Sequence, residues 1–142
     1  MLIAVCAVSC GKDEESEFTL TFEEVVGFYS TPTDNGNVSF EIRQFPSSCI
    51  VFDGVNIPIK DVYEDSDQNK DRASVSIRCE DYTINPDDYD KRIDYQFNVI
   101  IGGDKKVKNL SILRTWWKNV TQPGEFGSWQ SVTEEWYYSN FI

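Results

Sequence analysis

The chain has 142 residues, about one domain's worth, with 40% hydrophobic residues, a formal net charge of −11 and no histidine. The acidic charge argues against nucleic acid or an anionic membrane face as a partner, since contacts with phosphate groups need clustered lysine and arginine. The absence of histidine excludes Ser-His-Asp catalysis, Cys-His catalysis and histidine-ligated metals.

Residues 2–8 form a short apolar run that ends just before Cys10. The run is too short to span a bilayer as a helix, and it is typical of the apolar part of a signal peptide, with small residues before the cut. An apolar N-terminal strand is the alternative. The order of Ala7, Ser9 and Cys10 resembles the lipobox of bacterial lipoproteins. This resemblance implies that residues 1–9 are a truncated lipoprotein signal peptide and that Cys10 carries acyl chains such as palmitate.

Residues 10–17 continue with a glycine, a lysine and a run of acids after Cys10. This order is similar to the export signal of Bacteroidota surface lipoproteins. The resemblance implies a lipid-anchored protein of the outer membrane that faces the extracellular medium. A protein on the periplasmic face and a plain acidic tether are the alternatives, because any disordered acidic linker has this composition. Two or three acyl chains give lasting anchorage, at ~0.8 kcal/mol for each buried CH₂ group.

Residues 18–142 predict a single antiparallel β domain, because apolar and polar residues alternate along most of this range. Residues 18–29 are interpreted as one long first strand, and residues 93–101 form the clearest alternating strand. About eight strands with hairpin-like links predict a β-sandwich, with a lipocalin-like eight-stranded barrel as the alternative. A resemblance supports the barrel alternative, because residues 27–29 are similar to the Gly-x-Trp opening of lipocalins, with tyrosine in place of tryptophan.

Turn and loop signals separate the predicted strands. Asn35-Gly36 and Asp53-Gly54 predict two-residue hairpin turns, because glycine and asparagine tolerate the positive φ angles that these turns need. The polar runs 64–71 and 80–91 are predicted to be loops.

The cysteines predict one disulfide. With Cys6 in the leader and Cys10 carrying lipid, Cys49 and Cys79 remain, and two thiols outside the cytoplasm tend to oxidise together. The bond would contribute ~3–4 kcal/mol by constraining the unfolded chain. Two separately buried thiols are the alternative. A tryptophan between the two cysteines is missing, which argues against an immunoglobulin domain.

Oxygen-bearing side chains at alternate positions suggest calcium as the one candidate cofactor. They are Asp65, Asp67, Asn69 and Asp71. The pattern departs from an EF-hand loop, because lysine stands at the sixth position and serine at the twelfth. Plain polar loops are the favoured interpretation of the same residues, so no cofactor is expected and calcium is the alternative.

Aromatic residues crowd the last quarter of the chain and are the candidate ligand-binding residues. They are Trp116, Trp117, Trp129, Trp136, Tyr137 and Tyr138. Neighbours on a strand point to opposite faces, so each adjacent pair sends one ring inward and one outward. If Trp117 and Tyr137 line one outer face, they form an apolar platform for sugar rings or a protein partner. The alternative is that the outward rings lie under loops or a second sheet.

The function expected from these features is that of a non-catalytic surface lipoprotein that binds a glycan or a protein, as an accessory to uptake or adhesion. A lipocalin-like carrier of a small apolar ligand is the second hypothesis. A carboxylate-based glycoside hydrolase is the third, and it needs two acids across one cleft. Candidate acids are Asp81, Asp87, Asp88, Asp90, Glu134 and Glu135. A purely structural subunit of a surface assembly fits the same features as the first hypothesis.

Overall fold

The computed structural model describes residues 17–82 and 90–140, which form one sheet of nine antiparallel strands. The strands are β1 (Phe18–Thr19), β2 (Gly27–Thr33), β3 (Gly36–Arg43), β4 (Cys49–Phe52), β5 (Val55–Asp67), β6 (Ser74–Asp81), β7 (Ile93–Gly102), β8 (Val107–Asn119) and β9 (Trp129–Ser139). Strands β2 to β9 pair in chain order, and β1 pairs with the end of β5. The all-β prediction is confirmed. The predicted leader and Cys10 lie outside the described residues.

The sheet curls into a nearly closed barrel. A register shift between Ile59 and Asp61 interrupts the pairing of β5 with β6, and such irregularities bend a sheet. Strands β2 and β9 meet where the Asp34 backbone N–H donates to the Tyr137 carbonyl at 3.1 Å. The Tyr137 N–H in turn donates to the Asp34 carboxylate at 2.8 Å. The resulting architecture is compatible with both the sandwich and the lipocalin-like barrel.

The barrel interior is filled by the apolar faces of alternating strands. On β7 the predicted alternation is confirmed, because Tyr95, Phe97, Val99 and Ile101 are all buried. The Phe97 ring lies 5.1 Å from the Phe40 ring, measured between centroids, and rings at this distance pack edge to face. Opposite strands therefore meet in the middle of the barrel through aromatic contacts.

The barrel has two ends, called proximal and distal. The proximal end holds residues 20–25 together with the connections 44–48, 68–73 and 103–106, and the distal end holds the turns 34–35 and 53–54. Leu20, Phe22 and Val25 are buried members of the core.

The prediction of one strand over residues 18–29 is wrong. After β1 the chain turns, forms a short 3₁₀ helix at Glu23–Val25 and starts β2 at Gly27. The Glu24 carboxylate accepts hydrogen bonds from the Thr21 N–H and hydroxyl at 3.1 and 3.0 Å. The carboxylate satisfies the Thr21 N–H as the glutamate of a capping box does, and the Thr-x-x-Glu spacing of this contact is readable in the sequence.

The prediction of a loop over residues 64–71 is wrong in its first half. Strand β5 continues to Asp67, because Glu64 pairs with Val75 on β6, and Ser66 and Asp67 pair with β1. Polar side chains are tolerated here because this part of β5 is largely exposed. The Asp53-Gly54 turn is confirmed, with φ angles of 52° and 77°.

The predicted disulfide is wrong, because Cys49 and Cys79 are free thiols, both buried. Cys49 lies on β4 and Cys79 on β6, and each faces β5, opposite Pro58 and Ile59 respectively. Two strand spacings separate Cα atoms by ~9.6 Å, whereas a disulfide needs about 4.4–6.8 Å. The intervening strand therefore keeps the sulfurs apart.

Because of the Cys79 thiol, we expect the free energy of unfolding to fall as the pH rises through the alkaline range. Burial, with Cys49 nearby, raises its pKa from 9.0 to about 12. The folded state thus keeps the thiol neutral while the unfolded chain ionises it. The resulting stability is present below pH 9 and is lost as the pH rises towards 12, by ~1.4 kcal/mol for each pH unit. In urea unfolding between pH 9 and 10, we expect a Cys79→Val variant to lack this part of the decline. Identical pH slopes in the two proteins would contradict the prediction.

Candidate functional site

The six C-terminal aromatic residues divide between the two faces of the hairpin formed by β8 and β9. The cross-strand pairs place Trp116, Trp136 and Tyr138 on the inward face and Trp117, Trp129 and Tyr137 on the outward face. The four tryptophans are all partly buried, and Tyr137 is exposed. The sequence therefore predicted one ring inward and one outward in each adjacent pair correctly.

The inward Trp136 is a core residue. Its ring lies 5.4 Å from the Phe52 ring and 5.2 Å from the guanidinium carbon of Arg114. Tyr138 also packs against the core. These two rings stabilise the barrel wall, which leaves the outward rings as candidates for a binding surface.

Trp117 and Tyr137 share the outer face but do not form one platform. Trp117 pairs with Ser131, and Tyr137 is six positions further along β9. Six residues of strand span ~20 Å. The two rings therefore belong to separate places on the surface, and each must be judged by its own neighbours.

Trp117 borders a cleft on the outer face at the distal end, which we call the Trp117 cleft. Its lining residues are Tyr82, Asp94, Gln96, Leu113, Thr115, Trp117 and Ser131. They come together because Asp94 pairs with Thr115 and Gln96 with Leu113, one pair beside the other. The cleft has a volume of about 270 Å³, just under the ~300 Å³ at which small-molecule sites begin.

An arginine fixes the edge of this cleft. The guanidinium carbon of Arg92 lies 4.8 Å from the centre of the Trp117 ring, within the range of cation–π attraction. Arg92 also forms an ion pair with Asp94 at 3.3 Å. The indole and the carboxylate of the cleft are thus both contacted by one side chain, which lies over one face of the indole ring.

The sequence did not identify the polar part of the cleft. The alternation along residues 93–101 predicted one outward polar face, to which Asp94 and Gln96 belong, but it gave no strand register. Without the register, nothing placed these side chains beside Trp117. Tyr82 follows the end of β6 and Arg92 precedes the start of β7, so the alternation of apolar and polar residues does not predict which way their side chains point.

Two inward-facing carboxylates, Asp81 and Glu134, lie at the distal end, at the two ends of a row of paired residues that crosses four strands. Asp81 pairs with Tyr95, Tyr95 with Arg114, and Arg114 with Glu134. Asp81 and Glu134 are three strand spacings apart along the sheet, or ~14 Å between backbones, with Tyr95 and Arg114 between them. Glu135 points the other way on β9. Asp87 and Asp88 lie outside the described residues.

Arg114 lies between Glu134 and a further acid, Asp53 in the β4–β5 turn. Its Nε donates to Glu134 at 2.9 Å, and its Nη1 donates to Asp53 at 2.7 Å. Burial opposes the charge on Arg114, but hydrogen bonds with Glu134, Asp53 and Tyr95 outweigh it and raise its pKa. The guanidinium therefore stays charged and connects the β4–β5 turn to β9.

The four residues of the calcium hypothesis are divided between a strand and a turn. Asp65 and Asp67 belong to β5, and Asn69 and Asp71 belong to the following turn. Asp67 accepts a hydrogen bond from the Asn69 N–H at 2.8 Å, and Asn69 accepts one from the Asp71 N–H at 2.9 Å. Within residues 17–82 and 90–140, no group of three acids, cysteines or histidines could hold a metal ion. A calcium site here stays a prediction.

A second, larger cleft lies on the outer face of β2 and β3. It has a volume of about 600 Å³ and is lined by Phe28, Glu41, Arg43 and Val51 among others. Phe28 at its border is 82% exposed.

Comparisons with known proteins give no relative from which a role could be transferred. No family model, curated protein or solved structure matched the chain.

Proposed function

We propose that this protein is a non-catalytic lipoprotein of the bacterial cell surface, anchored through Cys10, whose β domain binds a glycan in the Trp117 cleft. The observation that carries the proposal is the placement of the Trp117 ring beside Asp94, Gln96 and Thr115 in one cleft. The anchor rests on the likeness of residues 7–10 to a lipobox.

The chemistry of the cleft suits a sugar ring. A sugar has a C–H face that packs on aromatic rings and hydroxyl groups along its edge that both donate and accept hydrogen bonds. Trp117 and Tyr82 offer the aromatic surface, and Asp94 accepts while Gln96 does both. The volume of about 270 Å³ fits one sugar unit of a longer glycan whose neighbouring units extend over the outer face.

Other observations favour this function over the two alternatives. A carrier of apolar ligands needs space inside its barrel, and here Phe97 contacts Phe40 and Phe52 across the interior. A hydrolase needs two acids facing a substrate, and Arg114 lies between Asp53 and Glu134, hydrogen bonded to both. Neither arrangement leaves room at these positions for a substrate.

A glycan array probed with the full chain tests the binding proposal, followed by titration of any glycan that binds. We expect Trp117→Ala to weaken the Kd about tenfold or more, which equals ~1.4 kcal/mol. Tyr137→Ala is the matched control, since it removes an aromatic ring from the same face ~20 Å away, and it should leave the Kd unchanged. An array without binding, or equal losses in both variants, would overturn the proposal, and a protein captured instead would favour the partner hypothesis.

The anchor is tested separately by mass spectrometry of the protein extracted from membranes. We expect an N-terminal Cys10 carrying acyl chains, and we expect Cys10→Ser to release the protein from the membrane fraction. An unmodified and unprocessed N-terminus would refute the anchor and leave the glycan measurement unaffected.

A further inference from the structure

One side of strand β9 is a free sheet edge at the distal end. Strands β2 and β9 lie at the two ends of the strand order and do not pair with each other. They meet at Tyr137, where the turn at residues 34–35 lies against β9. From that point β9 continues towards the distal end, past the end of β2. Gln130, Ser131 and Thr133 on this part of the strand are exposed.

The backbone groups of alternate residues of β9 point to this edge. The Tyr137 N–H donates to the Asp34 carboxylate, and the Tyr137 carbonyl accepts from the Asp34 N–H, so both groups point away from β8. Strands β8 and β9 pair without a register shift, and the direction of the backbone groups alternates along a strand. The N–H and carbonyl groups of Ser131 and Thr133 therefore also point away from β8. In the part of the chain that the structure describes, no hydrogen bond to these groups is found.

The sequence of this edge favours pairing with another strand. Edge strands are commonly protected by proline, by charged side chains or by bulges, and β2 carries Pro32. Residues 130–133 of β9 have the sequence Gln-Ser-Val-Thr, with no charge, proline or bulge. Valine and threonine are favoured in strands, so this stretch has the properties of an edge that accepts an added strand.

The strand that fits this edge is a second copy of β9, because the stretch is complementary to itself when it is paired antiparallel about Val132. In that register Ser131 lies opposite Thr133, a pair that hydrogen bonds between strands. Gln130 lies opposite Glu134, whose carboxylate accepts a hydrogen bond from the glutamine amide. No like charges lie opposite one another. The outward backbone groups of Ser131 and Thr133 meet those of the second copy in about four hydrogen bonds.

We propose that two copies of this chain associate through the distal edges of their β9 strands, antiparallel and related by a twofold axis at Val132. The outer face of one copy then continues beyond Ser131 into Thr133 and Thr115 of the second copy, which lengthens the Trp117 cleft. The two Trp117 rings lie on one face, three strand spacings or ~14 Å apart across the joined sheet. A long glycan would reach both clefts. This consequence rests on the proposed function, whereas the dimer does not.

Sedimentation equilibrium of the full chain carrying Cys6→Ser and Cys10→Ser tests the dimer without a lipid anchor. We expect a monomer–dimer equilibrium whose Kd weakens about tenfold or more with Thr133→Pro. Proline removes an N–H that points away from β8, so the pairing of β8 with β9 stays intact. Ser139→Pro is the matched control, since residue 139 has the same orientation on β9 but lies outside the contact, and it should leave the Kd unchanged. Circular dichroism verifies the fold of each variant.

A cysteine on the proposed axis gives a second test that needs no proline. In a non-hydrogen-bonded antiparallel pair the two Cα atoms lie ~4.5 Å apart, within the ~4.4–6.8 Å that a disulfide needs. We therefore expect diamide to cross-link Val132→Cys, in the same Cys6→Ser and Cys10→Ser background, into a covalent dimer. Gln130→Cys is the matched control on the same face. Its two copies would be displaced by four residues along the strands, or ~13 Å, and should not cross-link.

Each other result overturns the proposed pairing. A chain that sediments as a monomer at every concentration would refute the dimer and leave the edge to an extended peptide of another protein. A dimer that persists in Thr133→Pro, or an equal weakening in Ser139→Pro, would place the contact elsewhere. Equal cross-linking of the two cysteine variants would refute the register about Val132. Absence of glycan binding by an intact dimer would refute the proposed function alone.

Discussion

Replacing Phe97 with alanine should lower the free energy of unfolding by ~3–5 kcal/mol. Phe97 is fully buried, and its ring lies 5.1 Å from that of Phe40 and 5.7 Å from that of Phe52. These contacts join β7 to β3 and β4 across the barrel, so truncation removes apolar burial and leaves a cavity between opposite walls. Urea unfolding at neutral pH measures the effect.

Phe126→Ala is the control for this experiment, because Phe126 is 98% exposed and its truncation should change stability by less than ~0.5 kcal/mol. A loss below ~1 kcal/mol in Phe97→Ala would show that the interior is loosely filled. That result would also favour the carrier hypothesis, since an interior that loses little stability when a ring is removed has room for an apolar ligand.

The sequence predicted the central strands well, because their alternation reflects one buried face and one polar face. On β3, Val38, Phe40 and Ile42 are buried as the pattern required. The same rule failed near the N-terminus, where Phe22 and Val25 are buried in a 3₁₀ turn at the proximal end. The alternation rule applies only to strands, whereas the Thr21–Glu24 hydrogen bonds stabilise a 3₁₀ turn at these residues.

What the sequence could not supply is the pairing of strands distant in the chain. Cys49 and Cys79 were expected to bond because both are cysteines in one small domain, but β5 lies between their strands. The sequence predicted one outward ring in each adjacent pair without saying which, and only the register of β8 with β9 places Trp117 and Tyr137 on the outer face and shows their separation. Composition and periodicity determine faces, whereas distances between functional groups come from register.

The Arg114 cluster shows the same limit, since nothing local in the sequence connects residues 53, 114 and 134. Arg114 comes from β8, Glu134 from β9 and Asp53 from the turn between β4 and β5. Their charges meet only because the barrel brings that turn over the inward face of the last hairpin. The cluster therefore acts as a long-range constraint at the distal end, close to the strands that carry the Trp117 cleft.

Replacing Arg114 with alanine should lower the free energy of unfolding by ~2–3 kcal/mol, because Glu134 would be left partly buried without its partner. The matched control is Arg78→Ala. Arg78 also contacts two acids, Asp61 and Glu80, but its side chain is 46% exposed against 19% for Arg114. Exposed ion pairs contribute only ~0–1 kcal/mol.

The combination of Arg114→Ala with Glu134→Gln distinguishes a lost attraction from an unpaired charge. If the cost of the single change comes mainly from the stranded Glu134 carboxylate, neutralising it should recover about half of the loss. Urea unfolding of the two single variants and the double variant gives the coupling free energy. Equal losses in Arg114→Ala and Arg78→Ala would mean that the solvent screens both clusters alike, and the proposed connection between the β4–β5 turn and β9 would then contribute little to holding the distal end together.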